Sequence, residues 1–363
     1  MITVKKEFPL ALSYPLERIG APEDILFFDI ETTGFSGDYA NVYLIGCTYL
    51  RDGSWQLIQW FADSKDTEKD LLDAFFTFLG DYRYLLHFNG DGFDIPFLLK
   101  RCAAHGLPYH FDNLESVDIY RLIKPCRRLL QLENMKQKSI ETFLRLSRAD
   151  KYSGGQLIEV YEDYLHSHDD FLYRLLMLHN EEDLKGMPAI LPILHYPDFL
   201  NGAFTFRGQS LRQIPLLFGQ TEKELQLTYE SPVTLPVPVE LETDFGLFSL
   251  NGNMLTLTVP LYEGELKHFY EDYQNYYYLI YEDNAIHKSV GQYVDKSAKR
   301  KATARTCYTR SCGIFLPQPS VVWTPCLRED YKSKHLFTPY CESLFSDEEA
   351  AENYRREVLS LCL

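Results

Sequence analysis

The pattern of apolar and polar residues along the first 195 positions predicts an α/β domain. Continuous apolar runs rich in β-forming residues indicate buried strands at 25–30, 42–50, 55–61 and 83–88. Residues 66–80 and 94–105 have the spacing and the terminal glycines of helices. Residues 136–147 and 155–195 are also mostly helical by their spacing. Strands that alternate with helices are typical of an α/β fold.

A different pattern begins after position 195. Residues 198–228 predict loops and short helices, and from 231 onward alternation of period two indicates antiparallel strands, with Asn251-Gly252 as a hairpin turn. Further strands are expected at 276–281 and 313–316. Ser346 stands three residues before Glu349, a capping box that opens a final helix to about position 361. We therefore predict an α/β domain over 1–195 and a mainly antiparallel β domain with a terminal helix over 196–363.

Composition supports an ordinary globular protein. The chain has 363 residues, is 45% hydrophobic, and carries 36 Lys and Arg against 52 Asp and Glu, a net charge of −16. This balance excludes disorder, and the charge argues against a surface that binds nucleic acid everywhere. No apolar run approaches the length of a membrane span, and the first 20 residues do not fit a signal peptide. We expect a cytoplasmic protein without membrane association.

The eight cysteines are expected to be thiols in that compartment. Cys307, Cys312, Cys326 and Cys341 could form a zinc site, but their spacing is looser than the usual C-x2-C pairs. Buried small side chains are the favoured interpretation.

Three motifs carry candidate chemistry. Asp29 and Glu31 alternate in a predicted buried strand, so both project from one face, and adjacent carboxylates favour a bound cation. Asn89, Phe93 and Asp94 follow the strand at 83–88, with Asp94 at the start of the next helix. His179 and Asp183 are four residues apart on one helix face. The alternatives are an acidic strand end in water, a helix cap and a surface ion pair.

In order and spacing, these motifs resemble the DEDD family of 3′→5′ exonucleases. The chain is most similar to the YprB-type predicted exonucleases, which are related to the proofreading domain of family B DNA polymerases. FDIETTG at 28–34 and FNGDGFDIPFL at 88–98 carry most of the likeness, with KSIE at 138–141 and SGG at 153–155. The resemblance covers about 24–195. It implies a ribonuclease H-like fold, in which helices flank a mixed sheet.

The third motif departs from the family. Its branches have Tyr-x3-Asp or His-x4-Asp, whereas here His179 stands in the tyrosine position of the first spacing. The second spacing would end on Leu184, which cannot bind a metal. Asp183 is therefore the expected fourth acid, and Glu182 is the alternative.

The resemblance implies a role for each residue in phosphodiester hydrolysis by two divalent cations, Mg²⁺ or Mn²⁺. Asp29 would bridge the cations, Glu31 and Asp183 would complete the one that activates water, Asp94 would hold the other, and His179 would orient or deprotonate that water. Asn89 and Phe93 are expected near the terminal nucleotide of a single-stranded 3′ end. The backbone of Thr32, Thr33 and Gly34 would approach the same end.

Two positive stretches interrupt the acidic chain. Residues 121–151 hold nine basic and three acidic residues, and residues 285–312 hold seven against one, including Lys299, Arg300 and Lys301. The second stretch lies near many tyrosines, a combination typical of single-stranded nucleic acid binding. The alternative is a solvated loop beside tyrosines that pack a sheet. We expect the second domain to help hold the strand.

The sequence thus predicts a metal-dependent 3′→5′ exonuclease that acts on DNA or RNA. The alternatives are a non-catalytic nucleic-acid-binding protein on a nuclease fold and a structure-selective endonuclease. The four filled acidic positions disfavour the first alternative, and the Asn-x3-Phe-Asp motif disfavours the second.

Overall fold

The computed structural model of the chain describes residues 1–148, 154–215 and 221–362. The chain divides into two compact units. The first comprises residues 1–201 with a short return at 235–237, and the second comprises residues 202–234 and those from 238 onward.

The first unit is built on a six-stranded mixed sheet. Its strands are β1 (Ile2–Phe8), β2 (Ile25–Thr32), β3 (Val42–Arg51), β4 (Ser54–Phe61), β5 (Tyr84–His87) and β6 (Glu115–Asp118). They lie in the order β1-β4-β3-β2-β5-β6. Neighbours from β1 to β2 are antiparallel, whereas β2, β5 and β6 are parallel. The four strands predicted from apolar runs are all present, and β1 and β6 are additional.

Helices cover both faces of this sheet. They are α1 (Glu68–Leu79), α2 (Asp94–Ala104), α3 (Ile119–Ile123), α4 (Arg127–Leu130), α5 (Gln137–Phe143), α6 (Gly154–Ser167), α7 (Asp170–Ala189) and α8 (His195–Asn201). On one face, the ring of Phe28 stacks on Phe75 of α1 with centroids 5.6 Å apart. On the other face, α7 packs on β2 and β3. Burial on both faces explains why the central strands are apolar without alternation.

The second unit contains three antiparallel sheets. Its strands are β7 (Thr205–Pro215), β8 (Thr221–Glu230), β9 (Val239–Thr243), β10 (Gly246–Asn251), β11 (Met254–Pro260), β12 (Tyr262–Phe269), β13 (Tyr276–Leu279), β14 (Asn284–His287), β15 (Lys299–Lys301), β16 (Tyr308–Gln318) and β17 (Leu336–Pro339). The sheet orders are β7-β8-β11-β10-β9, β12-β16-β17 and β14-β13-β15. The unit also has α9 (Lys288–Gly291) and the terminal α10 (Glu348–Ser360). The predicted fold class, a mixed α/β domain followed by antiparallel sheets and a last helix, is confirmed.

Three local predictions were wrong. Residues 198–228 were expected as loops and short helices, but β7 and β8 occupy most of that range. Both strands are mostly polar, and only alternate residues of β8 such as Leu225 and Leu227 are buried, which weakened the apolar signal. The alternation from 231 begins as a strand only at Val239, because Pro236 and Pro238 interrupt the earlier positions.

The cap of the last helix also differs. Asp347, rather than Ser346, is the N-cap, and its carboxylate accepts hydrogen bonds from the backbone N–H groups of Glu349 and Ala350. The predicted hairpin at Asn251-Gly252 is present between β10 and β11.

Two further observations concern membrane-spanning helices and cysteines. Among the described helices, none is long and apolar enough to cross a membrane. The cysteines are thiols, and the described groups of residues close enough to share a metal ion contain none of them.

Candidate active site

The C-terminal half of β2 contains Asp29 and Glu31, the first two acids of the candidate site. Phe28 and Ile30 point into the core under α1, so the intervening Asp29 and the following Glu31 face α7. The pairing of β2 with β3 shifts in register between Glu31 and Thr32. Such irregularities re-aim side chains and end the pairing of a strand. Thr32 is the last residue of β2 and pairs with Val42 of β3.

Helix α7 brings His179 and Asp183 to the same place. Nε2 of His179 lies 3.6 Å from Oε1 of Glu31 and 3.5 Å from Oδ2 of Asp183. The three side chains each offer a ligand atom within 4.8 Å of the others. Among the described residues, Asp29, Asp94 and Glu182 do not belong to this group.

Asp94 is the first residue of α2 and is buried. Burial raises the pKa of its carboxyl to about 7, although hydrogen bonds from the backbone N–H groups of Asp94 and Ile30 act in the opposite direction. Since Ile30 lies between Asp29 and Glu31, this contact places the Asp94 carboxyl beside β2.

The charges of the acids converge on Asp29. Burial raises the pKa of Asp29 well above its usual range, and the charges of Asp183, Glu31 and Asp94 raise it further. A hydrogen bond from Nδ2 of Asn180 to Oδ2 of Asp29, 2.8 Å long, lowers it in part. A carboxyl surrounded by three others favours either a proton or a bound cation.

Sequence analysis missed the support of Asn180. This buried amide accepts a hydrogen bond at Oδ1 from Nε2 of Gln59 on β4 at 2.9 Å, which orients its Nδ2 towards Asp29. Gly46 on β3 makes room for it, because a Cβ there would lie 2.2 Å from Oδ1 of Asn180. A glycine inside an otherwise apolar strand is the signal that could have indicated this close approach.

Sequence analysis also missed Arg148, whose guanidinium Nη1 lies 2.5 Å from Oδ1 of Asp183 and 3.3 Å from Oε1 of Glu141. Nε2 of Gln137 donates to Oε1 of Glu141 and to the backbone oxygen of Asp183, both at 2.9 Å. Arg148 therefore binds Oδ1 of Asp183, while Oδ2 of Asp183 faces His179.

Residues 149–151 of the predicted positive stretch, and Ser153 of the SGG stretch, lie outside the described residues.

Thr32 ends β2, and the loop that follows it contains Thr33 and Gly34. Oγ1 of Thr32 donates to the backbone oxygen of Gly34 at 2.7 Å, and Oγ1 of Thr33 accepts from the backbone N–H of Asn41 at 2.9 Å. These two hydrogen bonds stabilise the conformation of the loop. The buried Glu68 holds its other end, accepting from the backbone N–H of Val42 at 2.8 Å and two hydrogen bonds from Arg101.

A cavity of about 530 Å³ adjoins this loop. Its lining includes Thr33, Gly34 and Lys65. Phe35 and Tyr39, which also line it, are 86% and 92% exposed. Exposed aromatic rings of this kind are able to stack on nucleic-acid bases.

The second motif is divided between the surface and the core. Asn89 is exposed, has a positive φ of 64°, and donates its backbone N–H to Oδ1 of Asp118 at 2.9 Å. It lines a cavity of about 450 Å³ together with Tyr120 and Lys136. Phe93 instead packs against the core, with its ring 5.6 Å from that of Phe97.

A second group of possible ligands, His87, Asp91 and Asp118, lies behind this loop. Nδ1 of His87 accepts from the N–H of Gly90 at 3.0 Å, and Nε2 lies 2.7 Å from Oγ of Ser116. Burial lowers the pKa of His87. Because both ring nitrogens contact Gly90 and Ser116, His87 supports the conformation of this loop. Asp91 pairs with Arg121 and accepts a hydrogen bond from Oγ of Ser116.

Lys299, Arg300 and Lys301 form β15 in the second unit, next to β13. Lys299 is half-buried, whereas Arg300 and Lys301 are exposed.

Comparison with protein-family models agrees with the architecture of the first unit. The model of the RNase_H superfamily matches residues 26–194, just under half of the chain. The comparison with curated proteins found no match. Among solved structures, the chain is similar to the family B DNA polymerase from the hyperthermophilic archaeon Pyrobaculum calidifontis, with 14% identity and a TM-score of 0.38. This match covers 69% of the chain and 35% of the polymerase.

The chain thus spans about a third of the length of that polymerase. The superfamily match covers β2 to the turn after α7 and includes all four acids and His179. Residues 26–194 form a ribonuclease H-like domain.

Proposed function

We propose that the protein is a metal-dependent 3′→5′ exonuclease that hydrolyses the phosphodiester bonds of DNA or RNA. The observation that carries the proposal is the convergence of Asp183, Glu31 and Asp94 on Asp29, whose pKa they raise. The proposal further assigns the four acids to a DEDD site of the YprB type.

The donors in this group fit divalent cations. Carboxylate oxygens are hard ligands, which Mg²⁺ and Mn²⁺ prefer. Carboxylates that lie close together repel one another unless positive charge lies among them. Arg148 offsets part of that charge through Oδ1 of Asp183, while Oδ2 of Asp183 stays beside Glu31 and His179.

Each residue has a distinct task in this proposal. Asp29 would bridge two cations, Glu31 and Asp183 would hold one of them, and Asp94 would hold the other. When bound, the cations supply an activated water and stabilise the leaving oxygen. His179 would orient the water or accept its proton at Nε2, which lies between two carboxylates at 3.5 and 3.6 Å.

The surroundings of the acids support a single-stranded end as substrate. The cavity lined by Thr33 and Gly34, which follow Glu31 by two and three residues along the chain, is also lined by the exposed rings of Phe35 and Tyr39. Rings of this kind stack on unpaired bases without regard to sequence. The proposed 3′ terminus would lie along this loop.

The test is a polarity assay with Mg²⁺ or Mn²⁺ on single-stranded DNA, double-stranded DNA and single-stranded RNA, each labelled at the 5′ end. The proposal predicts a ladder that shortens stepwise from the 3′ end of at least one substrate, and no cleavage of the same strand when circularised. Cleavage of the circle would overturn the exonuclease assignment in favour of an endonuclease.

A further inference from the structure

The cavity of about 450 Å³ that Asn89 lines is built from three segments of the first unit. These segments are the turn after β5, helix α3 and the residues that lead into α5. The lining residues are Phe88, Asn89, Tyr120, Met135, Lys136 and Gln137. A volume of this size lies within the range of about 300–1,000 Å³ that is usual for sites of small ligands. We call it the Tyr120 cavity.

Two segments of the lining lead directly to acids of the candidate active site. Nε2 of Gln137 donates a hydrogen bond to the backbone oxygen of Asp183 at 2.9 Å. Asn89 begins the tight loop that ends at Asp94, the first residue of α2. A ligand in the Tyr120 cavity is therefore held by residues that contact Asp183 or shortly precede Asp94.

The ring of Tyr120 is partly exposed and is held by two neighbours. It meets the ring of Phe88 edge to face, with the centroids 5.9 Å apart and an angle of 68° between the planes. Nζ of Lys124 lies 5.7 Å from the centroid of the same ring. These contacts orient the ring before a ligand binds, so little conformational freedom is lost when the ring stacks on a base.

Positive charge surrounds this ring. Lys124 and Lys136 are both exposed, and they belong to the stretch 121–151, which holds nine basic residues against three acids. One of these acids, Glu141, is buried and pairs with Arg148. In a chain of net charge −16, this local excess of positive charge complements phosphate groups.

The backbone of Asn89 is fixed in an unusual conformation. Its φ of 64° lies in the left-handed region, which asparagine tolerates better than most residues do. The backbone N–H donates to Oδ1 of the buried Asp118 at 2.9 Å, and this hydrogen bond stabilises the conformation. The side chain of Asn89 lines the cavity and provides an amide that can both donate and accept hydrogen bonds.

We propose that the Tyr120 cavity binds one unpaired nucleotide of the substrate strand. The ring of Tyr120 stacks on the base, Lys136 contacts a phosphate, and the amide of Asn89 bonds to the base or the sugar. The inference rests on the proposed function, because it adds a second position to the strand whose 3′ terminus is proposed to lie along the loop of Thr33 and Gly34.

The test is fluorescence anisotropy of labelled oligo(dT) and oligo(U) with the full chain in EDTA, which separates binding from metal-dependent hydrolysis. Tyr120→Ala is expected to weaken binding about tenfold, because one stacking ring is lost. Tyr120→Phe retains the ring and is expected to bind as the wild type does. Lys136→Gln is expected to flatten the slope of log K against log salt by about 0.7, the contribution of one phosphate contact on a single strand.

Phe171→Ala and Lys69→Gln are the matched controls, since they remove an exposed ring and an exposed charge elsewhere in the first unit. Both are expected to leave the affinity and the salt slope nearly unchanged. Unchanged binding by Tyr120→Ala, or an equal loss in Phe171→Ala, would overturn the inference.

Melting curves would identify a variant that has lost its fold. If Tyr120→Ala unfolds, Lys136→Gln still decides, because its side chain is exposed and a salt slope equal to that of the wild type would overturn the inference. Absence of hydrolysis by the wild type with Mg²⁺ or Mn²⁺ would count against the proposed function, whereas the binding measurements made without metal test the Tyr120 cavity itself.

Discussion

Nδ2 of Asn180 donates a hydrogen bond to Oδ2 of Asp29 over 2.8 Å, and the contact links α7 to the strand that carries the first acid. This hydrogen bond depends on Gly46, which lies in neither α7 nor β2. Gly46, which pairs with Asp29 across the ladder, leaves the space that the Asn180 side chain fills.

Gly46→Ala tests this arrangement. Its Cβ would lie 2.2 Å from Oδ1 of Asn180 and 2.3 Å from Cδ1 of Leu184, so helix or strand must shift. We expect a loss of about 1–3 kcal/mol in the free energy of unfolding, measured with urea, and reduced nuclease activity. Gly155→Ala on α6 is the control, because a Cβ there has no neighbour within 4 Å and a helical alanine stabilises. An equally stable and active Gly46→Ala protein would contradict the account.

The buried acids predict a dependence of stability on pH without metal. The pKa of Asp94 is about 7 in the folded protein and about 3.9 in an unfolded chain. The folded state therefore binds more protons between these values, and stability falls as pH rises through them. The slope is up to about 1.4 kcal/mol per pH unit.

Asp94→Asn isolates this contribution. Denaturant titrations in EDTA from pH 5 to pH 8 should show the variant gaining stability over the wild type as pH rises. Saturating Mn²⁺ at pH 8 should recover stability in the wild type more than in the variant. Parallel stability curves for the two proteins would show that Asp94 is not held in this way.

The ion pair between Arg148 and Asp183 predicts that Arg148 orients the carboxylate of Asp183. The guanidinium holds Oδ1 at 2.5 Å, and the buried Glu141 holds the guanidinium. Removing a partner that orients a metal-binding carboxylate typically costs about 10–100-fold in activity or metal affinity. We expect Arg148→Gln to lose activity in this range in a Mn²⁺ titration. Arg145→Gln removes the same charge from an exposed position nearby and should stay near wild type; equal effects would refute the positioning role.

Asp183 and Glu182 give a direct comparison of neighbouring acids. Asp183 lies with Glu31 and His179, whereas Glu182 is not part of that group in the described chain. We expect Asp183→Asn to lose at least about a hundredfold in kcat, since it removes a ligand charge, and Glu182→Gln to stay within a few-fold of wild type. A larger loss of kcat in Glu182→Gln than in Asp183→Asn would assign the role of metal ligand to Glu182. Steady-state hydrolysis of one labelled oligonucleotide measures both.

The first domain was more predictable than the second for a physical reason. Strands such as Ile25–Thr32 are buried on both faces and therefore have continuous apolar runs. The edge strand Ile2–Phe8 has mostly exposed residues, including two lysines, and β7 is polar on both faces, so neither has a clear apolar pattern. Strands at the solvent-facing edges of a sheet are therefore hard to predict from the apolar pattern of the sequence.

The candidate site also contains residues that the sequence predicted and residues that it did not predict. Asp29, Glu31, Asp94 and Asp183 were predicted because their spacing along the chain resembles a known family. Asn180 and Arg148 have no spacing of this kind, and their roles depend on where α7 and the segment before residue 149 lie in space. Lys299 was expected to contact the substrate, but its ammonium is bound to helix carbonyls, a contact that composition alone does not predict.

The central claim is that Asp29 organises a cation-dependent nuclease site. The most direct measurement is hydrolysis of a 5′-labelled single strand by wild type, Asp29→Asn and Asp112→Asn, with Mg²⁺ or Mn²⁺ and with EDTA. Asp112 has an 85% exposed side chain and provides the same charge change elsewhere in the first unit. The account predicts metal-dependent hydrolysis that falls at least about a thousandfold in Asp29→Asn and is unchanged in Asp112→Asn. Hydrolysis by Asp29→Asn at the wild-type rate would contradict it.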